Sequence, residues 1–260
     1  MSKIRVVQIS DCHVFGNTEG RLMGVDTRAS LRGILDDIEQ RLNSIDLIVV
    51  TGDLSQDDSK ASYQWIQQQL ETLKIPYYWL AGNHDITAMM QEVCPAAMQK
   101  SVIRRNWQLL LLDSHLDDGI PGLLSDPELD YMEQQLRRYP DHHTLIAFHH
   151  PAYTINSPWL DKINLQNSEA FWERINRHTN VKVVINGHIH QVQEWQQGLV
   201  RVLSAPSTAV QFKPESYDFC LDSQPPGYRL IDLQSDGSLN TQVIRLPEYS
   251  QSPDFTSSGY

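Results

Sequence analysis

Residues 77–86 read YYWLAGNHDI, and the change of character halfway along this stretch decides how the chain is read. Tyr77–Leu80 is short, aromatic and apolar between Pro76 and Gly82, the pattern of a buried strand. Gly82 and Asn83 suit a turn, because both tolerate positive φ. His84 and Asp85 are not needed for one. Alone, the stretch is most simply a polar turn. The remainder of the chain has to show whether an amide, an imidazole and a carboxylate at a strand end mean more.

Upstream, strands alternate with helices. Ile4–Ile9 is a strand-like run, and 26–42 carries Leu31, Ile34, Leu35, Ile38 and Leu42 as a helical apolar stripe. A second strand at 46–51 precedes a second helix at 59–73, with Tyr63, Ile66, Leu70 and Leu73 on one face. Strands separated by helices of this length imply βαβ units and a parallel sheet. Downstream, SDPE at 125–128 is a capping box opening a helix with Leu129, Met132 and Leu136 inward. Strands are expected at 144–148 and 181–185, with a helix near 169–177 between them. From about 191 the character changes to short strands at 192–195, 200–204, 228–233 and 241–245. The Asp236-Gly237 turn signal among them points to antiparallel structure beside the parallel part. This is an α/β chain, read as one domain over 1–250 followed by a flexible tail at 251–260.

Composition bounds the function. The chain has 260 residues, 40% hydrophobic and 20% charged, as expected of a globular α/β protein. Apolar runs such as 109–112 and 45–50 fall far short of the ~18 residues of a membrane span. The first residues, MSKIRVV, contain no signal-peptide pattern. Cys12, Cys94 and Cys220 lack CxxC spacing and read as reduced thiols of a cytoplasmic protein. The formal net charge of −11 argues against a nucleic-acid clamp, which needs a basic surface. It leaves room for a small phosphate substrate, since bound cations override the global field.

The polar residues then fall into place. Strand ends carry SDCH (10–13), TGDL (51–54), GNHD (82–85), HHP (149–151) and GHIH (187–190). Ligands in open α/β sheets gather outside the carboxyl ends of strands, so the five clusters would converge on one edge. Asp11 and His13 are two apart, as are His188 and His190. In extended backbone each such pair points one way, with Cys12 and Ile189 facing elsewhere. Carboxylate, amide and imidazole without thiolate suit borderline or hard divalent ions. Seven candidate ligands are too many for one ion and suit two, about 3.5–4 Å apart and sharing a carboxylate. His115, His142, His143 and His178 are expected on the surface or in loops, and Asp113 in a turn or cap. His150, beside His149, stays open on this reading.

The ordered motifs D-x-H, G-D, G-N-H-D, H-x-P and G-H-x-H resemble the calcineurin-like metallophosphoesterase superfamily. The flanks GVDT (24–27) with Ser30 and Leu31, WLD (159–161) with Asn167, PST (206–208), QFKP (211–214) and PGY (226–228) are similar to its bacterial class III cyclic-nucleotide phosphodiesterases. The resemblance covers roughly residues 3–247. It implies a four-layer sandwich of two mixed β-sheets flanked by helices. It implies one metal on Asp11, His13, Asp53 and His190, and a second on Asn83, His149 and His188, with Asp53 bridging. The H-x-P pattern selects His149 over His150. Two divalent ions are implied, iron or manganese foremost and zinc as a third candidate. The implied reaction is attack of a metal-bridged hydroxide on 3',5'-cyclic AMP, giving 5'-AMP. His13, Asp53, Asn83, His84 and His190 would meet the substrate, with His84 catalytic as proton donor to the leaving oxygen and Asp85 orienting it. Other phosphodiesters, phosphomonoesters or a non-catalytic metal-binding scaffold are the alternatives. Neither membrane nor nucleic acid is an expected partner, and the sequence leaves oligomeric state open.

Overall fold

The computed structural model describes residues 3–41, 45–116 and 119–259. Leu42, the last residue of the first helical stripe, lies outside them, as does Tyr260. The first half contains β1 (Ile4–Ile9), α1 (Thr27–Glu39), β2 (Leu47–Thr51), α2 (Lys60–Thr72), β3 (Tyr77–Leu80) and α3 (Thr87–Val93). The middle contains β4 (Ser101–Arg104), β5 (Trp107–Leu111), α4 (Asp126–Arg138), β6 (His143–Ala147), α5 (Pro158–Asp161), α6 (Ser168–Ile175) and β7 (Val181–Asn186). The last part is β8 (Glu194–Gln197), β9 (Val200–Ser204), β10 (Gln211–Phe212), β11 (Leu221–Asp222), β12 (Gly227–Leu233) and β13 (Leu239–Arg245).

Two mixed sheets result. One has the order β13-β12-β1-β2-β3 and the other β4-β5-β6-β7-β9-β8. Strand alternation explains why they stack. From β1, Ile4 and Val6 point into the interface with Leu109, Leu145, Val183 and Ile185 of the other sheet. Val7 and Ile9 point the opposite way, onto Leu31 and Ile34 of α1 and Ile66 of α2. The second sheet repeats the plan, with Leu110, Ile146 and Val184 against Leu129 and Met132 of α4 and Phe171 of α6. Every strand near the centre is therefore apolar on both faces. The expected four-layer calcineurin-like sandwich is the fold.

Helix starts follow local chemistry. Asp26 caps α1 through Ala29 N–H, and Ser59 caps α2 through Ser62 N–H. The SDPE box closes on one side only. Ser125 accepts from Glu128 N–H, but the Glu128 carboxylate accepts from Asp113 N–H at 2.8 Å and pairs with Lys100. A tertiary partner has taken the acid that would complete the box.

The C-terminal strands pair antiparallel with one another as expected: β8 with β9, β10 with β11 as a separate two-stranded ribbon, and β12 with β13. What the pattern did not show is that all but β10 and β11 extend the two large sheets. β12 and β13 complete the first sheet, β12 running antiparallel to β1. β9 lies parallel to β7, because β8 turns the chain back first. Alternation reports which face a residue takes and is silent on which neighbour a strand joins. His143 opens β6 and packs its ring on Trp107, at 5.3 Å between centroids. After β13, Gln251 and Asp254 hydrogen-bond to the backbone of Asp26 and Met23 ahead of α1.

Candidate metal centre

The carboxyl ends of β1, β2 and β3 meet those of β6 and β7 at one end of the sandwich. The loops leaving β1 and β2 run together, with Asp11 N–H on Gly52 O and His13 N–H on Asp53 O. Asp11, His13, Asp53, His188 and His190 all have positive φ, between 47° and 71°. The extended-backbone account of the paired residues is therefore wrong in mechanism. Alternate left-handed residues turn Asp11, His13 and His190 toward one another, while His188 turns to Asn83 and His149, so the second pair is split. Cys12 and Ile189 still face away, into apolar clusters. Non-glycine residues in this region cost about 1–2 kcal/mol each, and such strain persists where the surroundings over-determine it.

Close approach explains the glycines. A Cβ on Gly52 would sit 2.4 Å from His149 Nδ1, and one on Gly82 would sit 2.2 Å from Asp53 Oδ1. Each glycine lets a ligand from another strand come within reach.

The ring nitrogens sort themselves by hydrogen bonding. His13 Nδ1 donates to Gln56 Oε1 at 2.6 Å, His190 Nδ1 to Val210 O at 2.8 Å and His149 Nδ1 to Thr51 O at 2.8 Å. Each therefore turns an unprotonated Nε2 inward when neutral. His13 Nε2 and His190 Nε2 face each other at 3.1 Å, lone pair to lone pair. Asp11 Oδ1 lies 3.5 Å from His190 Nε2, and Asp53 Oδ2 lies 3.7 Å from His13 Nε2. On the other side, Asp53 Oδ2 is 3.2 Å from His149 Nε2. Asn83 Oδ1 is 3.2 Å from His149 Nε2 and 2.9 Å from His188 Nδ1. Buried Asp11 Oδ2 and Asp53 Oδ2 have no hydrogen-bond partner. Convergent lone pairs and orphaned carboxylate oxygens in a buried site call for cations. The donors form two lobes that share Asp53, which fits two divalent ions.

His150 lies near the second lobe, within ligand distance of His149 and His188. Both of its ring nitrogens are already taken. Nε2 donates to Ile120 O at 3.0 Å and Nδ1 accepts from Ser114 Oγ at 2.8 Å. Only His149 of the pair has a lone pair for a metal.

Asp85 is buried, and its carboxylate accepts from the backbone N–H of Gly82, Leu54 and Ser55 at 2.9–3.1 Å. It clamps the β2 and β3 end loops together. The expected role of orienting the His84 imidazole is corrected accordingly, because the acceptor oxygens are committed to backbone. His84 is half-buried, with its N–H on Asp53 Oδ1 at 2.9 Å and its ring 5.0 Å from that of His13. It lines a cavity together with Asn83 and His188.

Sequence reading missed the supports. Gln56 fixes the His13 tautomer. Ser207 donates to Asp11 O at 2.7 Å, and Thr208 N–H to Ser10 O at 3.0 Å. The PST flank was the one available signal for this brace. Asn167 likewise grips both backbone groups of Leu124.

Without metal the electrostatics are frustrated. Burial pushes the Asp11 carboxyl up to about 7 and lowers His13 to about 3. Burial also holds His188 and His190 well below the usual imidazole value. Burial opposes charge on His149 too, yet the Asp53 carboxylate raises it to about 9. Asp53, despite its own burial, is kept ionised by His149, His84 and His13. Protonation of His149 and metal binding there therefore compete for the same ring nitrogen.

Residues 4–192 match the calcineurin-like phosphoesterase family, and the chain belongs to it. It is 40% identical over 264 residues to the 3',5'-cyclic adenosine monophosphate phosphodiesterase CpdA of Vibrio vulnificus, covering 100% of this chain and 96% of that protein. It is 38% identical to a 3',5'-cyclic-nucleotide phosphodiesterase of Nostoc, over 94% of this chain and 93% of the relative. A dimetal phosphatase from Danio rerio has the same fold, with a TM-score of 0.68 at 16% identity, over 94% of this chain and 99% of that one. The chain is a phosphoesterase by family, and the family's reliance on divalent metals agrees with the two-lobed donor set.

Proposed function

We propose that the chain hydrolyses 3',5'-cyclic AMP to 5'-AMP at a centre of two divalent ions. Asp11, His13, Asp53 and His190 hold one ion. Asn83, His149 and His188 hold the other, with Asp53 between them. The observation that carries this reading is the shared-carboxylate pair of lobes, with His84 beside it and assigned to neither. The full-length likeness to named cyclic-nucleotide phosphodiesterases supports the substrate.

When bound, the ions neutralise charge at phosphorus and acidify water into a nucleophile at neutral pH. The protein's own residues do the rest. Asp53 accepts from the backbone N–H of His84, which sets the acid shared by the lobes beside the proton donor. The His84 imidazole donates a proton to the departing 3'-oxygen, a poor leaving group without one. His13, Asn83 and His190 flank the phosphate. An oxygen- and imidazole-rich donor set suits iron or manganese, with zinc a third candidate. Residues 1–250 form one catalytic domain on this reading. A cytoplasmic setting goes with it, since Cys12, Cys94 and Cys220 are free. No described helix is long and apolar enough to cross a membrane.

The test is turnover by the metal-loaded protein on cyclic nucleotides, linear diesters and phosphomonoesters. Cyclic AMP should be opened to 5'-AMP, and that product should not be hydrolysed further at a comparable rate. Phosphomonoesters turned over faster than any cyclic nucleotide would defeat the reading in favour of a general phosphatase.

A further inference from the structure

The cavity that reaches the metal centre through Asn83, His84 and His188 has a volume of about 340 Å³, the size of a small-ligand site. Away from the metals its walls become apolar. Trp159 and Ile163 line one side, with Phe219 and Ile120 completing it. None of the described residues lining it is Asp, Glu, Lys or Arg.

The aromatic wall is continuous with the metal centre. Phe212 stacks face to face on the His190 ring, 4.1 Å between centroids and 5° between planes. Its edge meets Trp159 at 5.2 Å and Phe219 at 5.5 Å, and Trp159 meets Phe219 at 5.3 Å. The segment carrying Trp159 is pinned from behind. Asp161 accepts from Ile155 N–H at 2.8 Å and from Asn164 Nδ2 at 3.2 Å, while Asn164 Nδ2 also donates to Tyr153 O.

We infer that the cleft between Trp159, Phe219 and Ile120 is the nucleobase subsite, which grips the base by stacking and apolar contact. The inference rests on the phosphodiesterase reading above. A cyclic nucleotide is anionic at one end and a flat heteroaromatic ring at the other, one ribose apart. With the anion at the metals, the flat ring must lie where the cavity turns apolar. Polar side chains reach the cavity at its metal end, so contact area outweighs edge reading. Purines therefore bind better than pyrimidines. Stacking tolerates sequence because every base has a π-face.

The experiment is equilibrium titration of the metal-loaded chain with 5'-AMP, 5'-CMP and ribose 5-phosphate, which share one phosphate. Affinity should fall in that order. Trp159→Leu keeps an apolar side chain and removes the ring. It should weaken 5'-AMP about 10–100-fold, the usual worth of a base–aromatic stack. Ribose 5-phosphate binding should not change, and Trp159→Phe should recover most of the loss. For cyclic AMP the same factor should appear in KM and not in kcat. Wild-type protein that binds 5'-AMP no more tightly than ribose 5-phosphate overturns the subsite. So does a variant that loses all three ligands alike. Base-dependent binding without hydrolysis of cyclic AMP would uphold the subsite and overturn the phosphodiesterase reading, so the two fail separately.

Discussion

The imidazole of His84 lines the cavity, while the carboxylate of Asp85, one residue on, is buried among backbone amides. Their substitutions should separate accordingly. His84→Ala should keep roughly two metals per chain and lose about 10²–10⁴-fold in turnover, the usual worth of a positioned acid. Metal analysis beside rates decides it, and a variant that loses metal makes His84 a ligand. Asp85→Asn leaves buried N–H groups short of an acceptor. It should lower stability by about 1–3 kcal/mol and reduce metal content, without moving the pH–rate limb that reports the leaving-group proton. A shifted limb would restore the imidazole-orienting role. Residue types named these positions in the sequence. They did not say which atoms Asp85 would meet, since its partners Leu54 and Ser55 come from another strand end.

Strand ends carry the centre, and glycines set their spacing. Gly82→Ala places a Cβ 2.2 Å from Asp53 Oδ1, the acid between both lobes. The variant should fold, because β3 and the apolar faces of α1 and α2 are untouched. It should bind both metals more weakly. Unchanged far-UV circular dichroism with lowered metal stoichiometry is the expected result, and full metal content would show that the loops can part at little cost. At this scale the sequence read well where a pattern was local. The stripes of α1 and α2 lie where the 3.6-residue period puts them, and β1 to β3 lie where short continuous apolar runs put them. It read poorly where pairing decides. β9 is indistinguishable in pattern from an antiparallel strand, and β10 and β11 are too short to show any period.

Across the whole molecule the centre ties one sheet to the other, so metal should stabilise the fold as well as run the chemistry. Removing it with chelator should abolish activity and lower Tm by several degrees. Each ion at 100-fold its dissociation constant adds about 2.7 kcal/mol to the folded state. Restored manganese or iron should recover both. An unchanged Tm with full activity in exhaustively metal-free protein would sink the two-ion mechanism.

Away from the centre, Asp232 on β12 pairs across the register with Arg5 on β1, Nε to Oδ1 at 2.6 Å, and with Lys3. The Arg5 hydrogen bond holds its carboxyl below the usual range. A depressed carboxyl stabilises above its unfolded pKa of about 4, and that contribution disappears as pH falls through the folded value. Asp232→Asn should therefore melt lower than wild type at pH 7. The two should converge once pH falls below the range in which the folded carboxyl itself titrates. A gap that persists there would mean the loss is one of packing.

Residue types, their order and their position at strand ends are legible along the chain, because those are properties of one local segment at a time. From them came the α/β class and the donor set of Asp11, His13, Asp53, Asn83, His188 and His190, with the choice between His149 and His150 open until the family resemblance was added. Tertiary structure alone decided the rest. Two sheets had to stack before the ends of β1 to β3 could meet those of β6 and β7. Neighbouring backbone had to hold five ligands at positive φ, a conformation no isolated segment would keep. Ser114 and Ile120 had to occupy both nitrogens of His150 before His149 was the one of the pair left to turn Nε2 toward Asp53 and Asn83. Ile120, Trp159 and Phe219 had to be gathered from distant segments to line the cleft. Each of these depends on partners far apart along the chain, and a linear pattern carries no record of which groups will be close enough to compete for the same lone pair.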